Sequence, residues 1–264
     1  MRRNLMLGLV VAVIASLGIA AAASAVSTTM RAGSLVFTLG GSTSPKKLPK
    51  KKFVPVTTTI FGKIKTSDGS HPPAFREAIV DIDKDVKVNV KGLPVCRAGQ
   101  LEAQDTKAAR RVCGKTTLGK GIAHAEIAFP EQPPIKVTSP ITVFNGGERG
   151  GKITLLIHTF LTVPVPAAIV TTVKIQRKGS GVHTISKIPV IAGGSGSALD
   201  FNFKLGRTYR YKGKRTGYFE ARCPDGLFKV TAKKVLFKNE AKTPGHPAQT
   251  VLKGGFAVRC TPKG

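Results

Sequence analysis

Tryptophan is absent from this chain of 264 residues, tyrosine and methionine occur three times each, and only 14 acidic side chains stand against 42 Lys and Arg. The shortage of acid leaves a formal charge of +28, and a partner drawn by that charge must be anionic. No tract is acidic or rich in Gln and Asn, and 41% of the residues are hydrophobic, which excludes a mainly disordered protein. Neither Cys-x-x-Cys nor a neighbouring pair of histidines occurs, so a zinc site is not expected. No repeat of fixed period is visible, which argues against a propeller or solenoid. What the chain has in quantity is Gly (29) and Pro (17), a mix that favours strands and turns over a helix bundle. A chain of this length closes a sizeable core, burying roughly 70–75% of its unfolded surface.

The first 25 residues read as a signal peptide. Arg2 and Arg3 precede an apolar run from Leu5 to Ala23, and Ala23-Ser24-Ala25 supplies the small residues that a signal peptidase reads. Cleavage before Val26 removes two arginines and leaves +26. No cysteine lies near the cleavage site, so lipoprotein processing is not expected. A secreted or wall-associated product, soluble and strongly basic, is the expectation, with no membrane span left after cleavage.

Cys96, Cys113, Cys223 and Cys260 fit an oxidising compartment. Three pairings are open to four cysteines, and the sequence-local one, Cys96–Cys113 with Cys223–Cys260, is preferred. Its first bridge would close a short loop and contribute about 3 kcal/mol in the chain-entropy model.

Residues 26–52 read as a flexible Lys-rich leader, with Gly40-Gly-Ser-Thr-Ser-Pro45 followed by Lys46, Lys47, Lys50, Lys51 and Lys52. Residues 53–264 read as a single β domain. Along Ala78–Val90, apolar Ala78, Val80, Ile82, Val86, Val88 and Val90 alternate with Glu77, Asp81, Asp83, Asp85, Lys87 and Asn89, the mark of a half-buried strand. The same period recurs at Ala123/Ala125/Ile127/Phe129, Leu199/Phe201/Phe203/Leu205, Phe228/Val230/Ala232 and Phe256/Val258/Cys260. Arg97–Val112, rich in helix formers, reads as a short helix between Cys96 and Cys113. Ile153–Val173 carries no formal charge over 21 residues, yet Pro164 and Pro166 at its middle and its many β-branched residues make it two strands with a corner, not a membrane helix. The expected fold is all-β, a β-sandwich of about a dozen strands with one short helix.

The motifs that imitate catalytic or metal sites fail in detail. Asp81-Ile-Asp83-Lys-Asp85 begins like a calcium loop, but Val86 and Gly92 stand where that loop needs Gly and Glu. His124-Ala-Glu126 lacks the Pro-Cys-x-x-Cys of a zinc deaminase. Ser195 does not sit in Gly-x-Ser-x-Gly, and His183 and Asp200 make no recognisable triad with it. His158, between apolar neighbours, reads as a core histidine. No cofactor or metal is expected.

One segment points to binding. Arg207–Tyr218 holds five cations, three tyrosines and no acid in twelve residues, with a hairpin tip at Lys212-Gly213-Lys214. Arg207, Tyr209, Arg210, Tyr211, Lys212, Lys214 and Arg215 are the candidate polyanion-binding residues, since charge holds phosphate or carboxylate polymers and rings stack on sugars or bases. The alternative is that Tyr209 and Tyr211 pack inward and the cations are only solvated.

The run Lys91-Gly-Leu-Pro-Val-Cys96, then Cys113, then Gly119-Lys-Gly-Ile-Ala-His-Ala-Glu-Ile-Ala-Phe-Pro130, resembles a group of exported proteins frequent in high-GC soil bacteria. Gly69–Ala74, the Pro-x-Pro stretch in Ile153–Val173, Ile191–Gly196 and Cys223-Pro-Asp-Gly226 extend the likeness over most of residues 60–260. The resemblance implies a disulfide-bonded exported β domain and no catalytic residues. The expected role is a non-enzymatic domain that adheres to anionic envelope polymers or acidic glycans, with no specific nucleic acid as partner. The rivals are an extracellular polymer hydrolase, needing two facing carboxylates from Glu126, Glu148, Asp200 or Glu220, and a purely structural surface domain.

Overall fold

The computed structural model describes residues 25–179 and 181–264, so the expected signal peptide, apart from Ala25, lies outside the described residues. Strands β1 (Val26–Ala32), β2 (Leu35–Ser44), β3 (Lys47–Pro49), β4 (Val54–Thr66), β5 (Ala74–Ile82) and β6 (Val86–Val88) precede helix α1 (Thr106–Cys113). Strands β7 (Thr117–Phe129), β8 (Gln132–Arg149), β9 (Lys152–Leu161), β10 (Ala167–Lys178), β11 (Gly181–Lys187) and β12 (Gly196–Leu205) follow. Then come β13 (Thr208–Tyr211), β14 (Lys214–Gly217), β15 (Phe219–Ala221), β16 (Leu227–Lys238), β17 (Gln249–Arg259) and β18 (Thr261–Lys263).

Twelve strands form one antiparallel path, β1-β2-β4-β12-β7-β8-β9-β10-β11-β5-β16-β17. The path curls until its edges meet: a Cβ on Gly254 of β17 would press on Met30 of β1. Among the described residues the two edges share no ladder of hydrogen bonds, so the barrel is nearly closed. The fold is all-β and, among the described residues, carries one α-helix between Cys96 and Cys113. Its two facing layers are halves of one sheet. Phe75 of β5 stacks on Phe201 of β12 with ring centroids 6.4 Å apart, although those strands are not neighbours in the path.

Period two builds this wall. On β4, Val56, Ile60 and Ile64 pack inward while Lys63 and Lys65 point out. The uncharged stretch Ile153–Val173 forms β9, the corner at 162–166 and the start of β10, with Leu161 opposite Ala167. Both disulfides adopt the sequence-local pairing.

Two expectations are corrected. Residues 26–52 are not a flexible leader: they supply β1, β2 and β3, and β2 pairs with β4 over ten residues. Leu35 and Phe37 are buried almost completely, and this anchors the segment. Gly40-Gly41 has linker composition but serves as a narrow place in a strand, where Gly41 has no room for a Cβ beside the Thr59 carbonyl at 2.9 Å. The stretch 78–90 is not one strand either. It breaks at Asp83–Asp85, where the Asp83 carboxylate accepts from the Asp85 amide at 3.2 Å and closes a turn between β5 and β6.

Where β2, β12, β8, β10, β5 and β17 end, segments 45–53, 83–97, 206–226 and 260–264 fold over the barrel mouth. Within this cap β15 bridges β4 and β6, and β18 runs parallel to β3. Tyr218 and Ala221 are fully buried beneath it. Cys223–Cys260 ties the cap to the end of β17.

Helix α1 lies outside the barrel against β8 and β9. Asp105 caps it by accepting from the Ala108 amide at 2.7 Å. Leu101, Ala109 and Cys113 cover Phe144 and Leu156. His158 of β9, wholly buried, donates from Nε2 to the Gln104 carbonyl at 2.9 Å, and among the described residues its Nδ1 meets no partner. Burial holds His158 below the ordinary imidazole value of 6.5. The unfolded chain then binds a proton that the folded chain does not, so stability falls as pH drops through 6.5. Urea midpoints are expected to decline from pH 7 to pH 5, and His158→Gln is expected to flatten that decline.

Candidate functional site

A wall of twelve strands is wider than its side chains can fill. Eight strands give a barrel whose interior side chains meet, and larger barrels enclose cavities. The shortfall is sharpened on β7, whose inner face offers Gly119, Gly121, Ala123 and Ala125. Phe37, Phe75, Phe201 and Phe237 wedge one side of the barrel. Beside them a cavity of ≈ 330 Å³ remains, reaching from Val88 and Phe219 under the cap to Ile188 and Ile191 near the other end. Leu39, Ile60, Val80, Ile82, Ile157 and Phe256 line it and are only half-buried, because they face this space.

The lining is apolar apart from hydroxyls. Among the described residues it includes no Lys, Arg or Glu. Its two titratable residues, His124 and Asp200, face each other across β7 and β12 and pair at 2.7 Å on the outer side of the alternation. Outside, Lys63 and Lys65 on β4 and Lys229, Lys233 and Lys238 on β16 face water. That is the reverse of a membrane-spanning barrel, whose outer band must be apolar. Among the described residues no helix is long and apolar enough to cross a membrane.

The polyanion-binding candidates are only partly brought together. β13 and β14 form a hairpin with Arg210 opposite Arg215 and Tyr211 opposite Lys214. Lys212 and Gly213, with φ of 47° and 75°, make its two-residue turn. Arg210, Lys212, Lys214 and Arg215 are exposed on it. Arg207 is occupied instead, donating to the carbonyls of Lys115 and Thr117. The tyrosines pack inward: the Tyr209 hydroxyl is buried and meets no partner among the described residues, and burial pushes it above the ordinary phenol value. Tyr211 lies over Gly92, whose missing Cβ makes the room. Charge, not ring stacking, is what the hairpin presents. The four cap segments hold sixteen Lys and Arg against four Asp and Glu.

The carboxylates do not converge. Glu126 accepts from His71 Nδ1 at 2.7 Å, and Asp200 is held by His124. Glu220 accepts from the Gly217 amide at 3.1 Å in the cap, and Glu148 lies near the end of β8. Asp81 pairs with His183 at 2.6 Å, while Asp85 is buried against Arg222 at 2.6 Å. The three aspartates of the calcium-like run therefore face different neighbours, and among the described residues no cluster of metal-ligating side chains forms. Ser195 lies in a short turn, and Ser197 donates to the Pro72 carbonyl at 2.6 Å, leaving neither aligned on a histidine.

The cavity was missed because composition and period say which side chains point inward, not how far apart opposite walls stand. The signal was present in the run of Gly and Ala on the inner face of β7. Comparison with protein-family models, with curated proteins and with solved structures finds no match.

Arg222 keeps the cap in place. Its guanidinium pairs with the buried Asp85, and its amide donates to the Asp85 carbonyl at 3.0 Å. Phe53 lies against Arg222 and Lys87, whose charged groups sit 5.0 and 3.7 Å from the ring centre. Arg222→Ala leaves Asp85 buried and unpaired, so a loss of about 3 kcal/mol is expected in urea unfolding.

Proposed function

We propose that this protein is an exported, non-enzymatic binding protein that carries an apolar small molecule inside its barrel. The ≈ 330 Å³ cavity carries this reading. Its volume falls in the range of small-molecule sites, about 300–1,000 Å³, and its apolar lining gains from an apolar occupant what it loses by facing water. The signal-peptide pattern and the two disulfides support export. The scattered carboxylates, of which Glu126, Asp200 and Glu220 are each held by a different partner, favour binding over hydrolysis.

The exposed hairpin supports a second role, retention at the cell surface. Arg210, Lys212, Lys214 and Arg215 project without an acid among them, so anionic envelope polymers or acidic glycans are its fitting partners. This role uses the cap, and the ligand role uses the cavity.

Two measurements test these roles. The neutral dye N-phenyl-1-naphthylamine is expected to fluoresce on saturable one-to-one binding. Ala123→Leu, which fills part of the cavity, should weaken that binding at least about tenfold; non-saturable or unaltered fluorescence overturns the carrier reading. On anionic polymer beads, reversing the charges of Arg210, Lys212, Lys214 and Arg215 is expected to lower the salt needed for elution. Unchanged elution removes the hairpin from the adhesion role.

A further inference from the structure

The chemistry of the cavity wall narrows what it holds. Among the described residues the wall offers no Lys or Arg, and His124 and Asp200, its titratable members, are engaged with each other. A carboxylate placed inside would be an unpaired charge in an apolar space, which is among the costliest arrangements a protein can hold. An uncharged hydrocarbon alone would leave the wall's hydroxyls unused.

Ser42, Thr43, Thr58 and Thr59 stand on β2 and β4, and three further hydroxyls are grouped on the facing strands. Thr159 of β9, Thr171 of β10 and Ser186 of β11 all line the cavity. In the ladders Thr171 stands opposite Ile157, two residues from Thr159. Ser186 stands opposite Val173, two residues from Thr171. Diagonal neighbours of this kind lie about 7–8 Å apart, so the three make an oblique row of separate donors across adjacent strands. Among the described residues none of these three hydroxyls meets a protein partner. Two other hydroxyls of the wall do: Ser139 donates to the Phe160 carbonyl at 2.9 Å and Thr184 to the Val80 carbonyl at 3.1 Å.

We infer that the cavity selects a neutral, lipid-like ligand whose carbonyl oxygen (an ester, ketone or quinone) accepts a hydrogen bond from the Thr159–Thr171–Ser186 row, at Thr171 in its middle, and that it rejects a fatty-acid anion. This rests on the reading of the cavity as the ligand site. The apolar remainder of the ligand fills the space between the aromatic wedge and β9–β11, and the hydroxyl row sets its depth and orientation.

The test uses the disulfide-bonded chain 26–264 loaded with N-phenyl-1-naphthylamine and displaced by methyl decanoate or by decanoate at pH 8. Methyl decanoate is expected to displace the dye at a concentration roughly 100-fold lower, because the acid must first take up a proton well above its ordinary pKa. Lowering the pH toward 5 should narrow that gap. The near-isosteric Thr171→Val, alone and with Ser186→Ala, should weaken methyl decanoate by about fivefold, the worth of an ordinary hydrogen bond, while dye binding stays within about twofold. If the dye binds and decanoate competes as well as its ester at pH 8, or the substitutions leave the ester unaffected, the inference is wrong and the cavity reading stands. Failure of the dye itself to bind overturns both.

Discussion

The circumference of a twelve-stranded wall governs this structure. Strand spacing is set by backbone hydrogen bonds, so each added strand widens the barrel while side chains keep their length. The chain responds in two ways. Four phenylalanines, from β2, β5, β12 and β16, meet as a wedge that draws opposite walls together on one side. Four connecting segments fold over one mouth and bury Tyr218, Phe219 and Cys223. Neither device reaches the space beside β9–β11, and that space becomes the cavity.

The same wall separates two chemistries. Because successive side chains point to opposite faces, one face of each strand holds the apolar and hydroxyl residues that line the barrel, and the other carries lysines and ion pairs or, on β8 and β9, the residues that α1 covers. Most of the charge excess of the chain thus stays outside, and buried Arg76 is paired with Glu240. The excess collects on the outer strands and, most densely, on the cap, where buried Asp85 and its partner Arg222 anchor segments that otherwise repel one another. An apolar ligand inside and an anionic surface outside can be engaged together, since neither uses the residues of the other.

Much of this was legible from residue order. Alternation along 123–129, 201–205 and 228–232 gave the strands and their inner faces, the two prolines near 165 marked the β9–β10 corner, and the cysteine spacing matched the observed bridges. The misreadings share one cause, which is that local composition was asked to report long-range contact. Gly40-Gly-Ser-Thr-Ser looks like a linker until β4 lies alongside it. Asp83-Lys84-Asp85 looks like a solvated strand edge until Arg222, far along the chain, arrives to pair with Asp85. Tyr209 and Tyr211 look like stacking platforms until the cap and Gly92 take their faces.

By itself the sequence determined an all-β protein, its inward and outward faces and its basic character, because these follow from composition and periods that any segment carries within itself. Only the tertiary structure decided which of the three possible cysteine pairings forms, that the strands close on one another in a single path, how wide the enclosed space is, and which hydroxyls share one stretch of its wall. Those properties belong to pairs of segments distant in the chain, set by register and curvature that accumulate over all twelve strands, and no single stretch of residues encodes them.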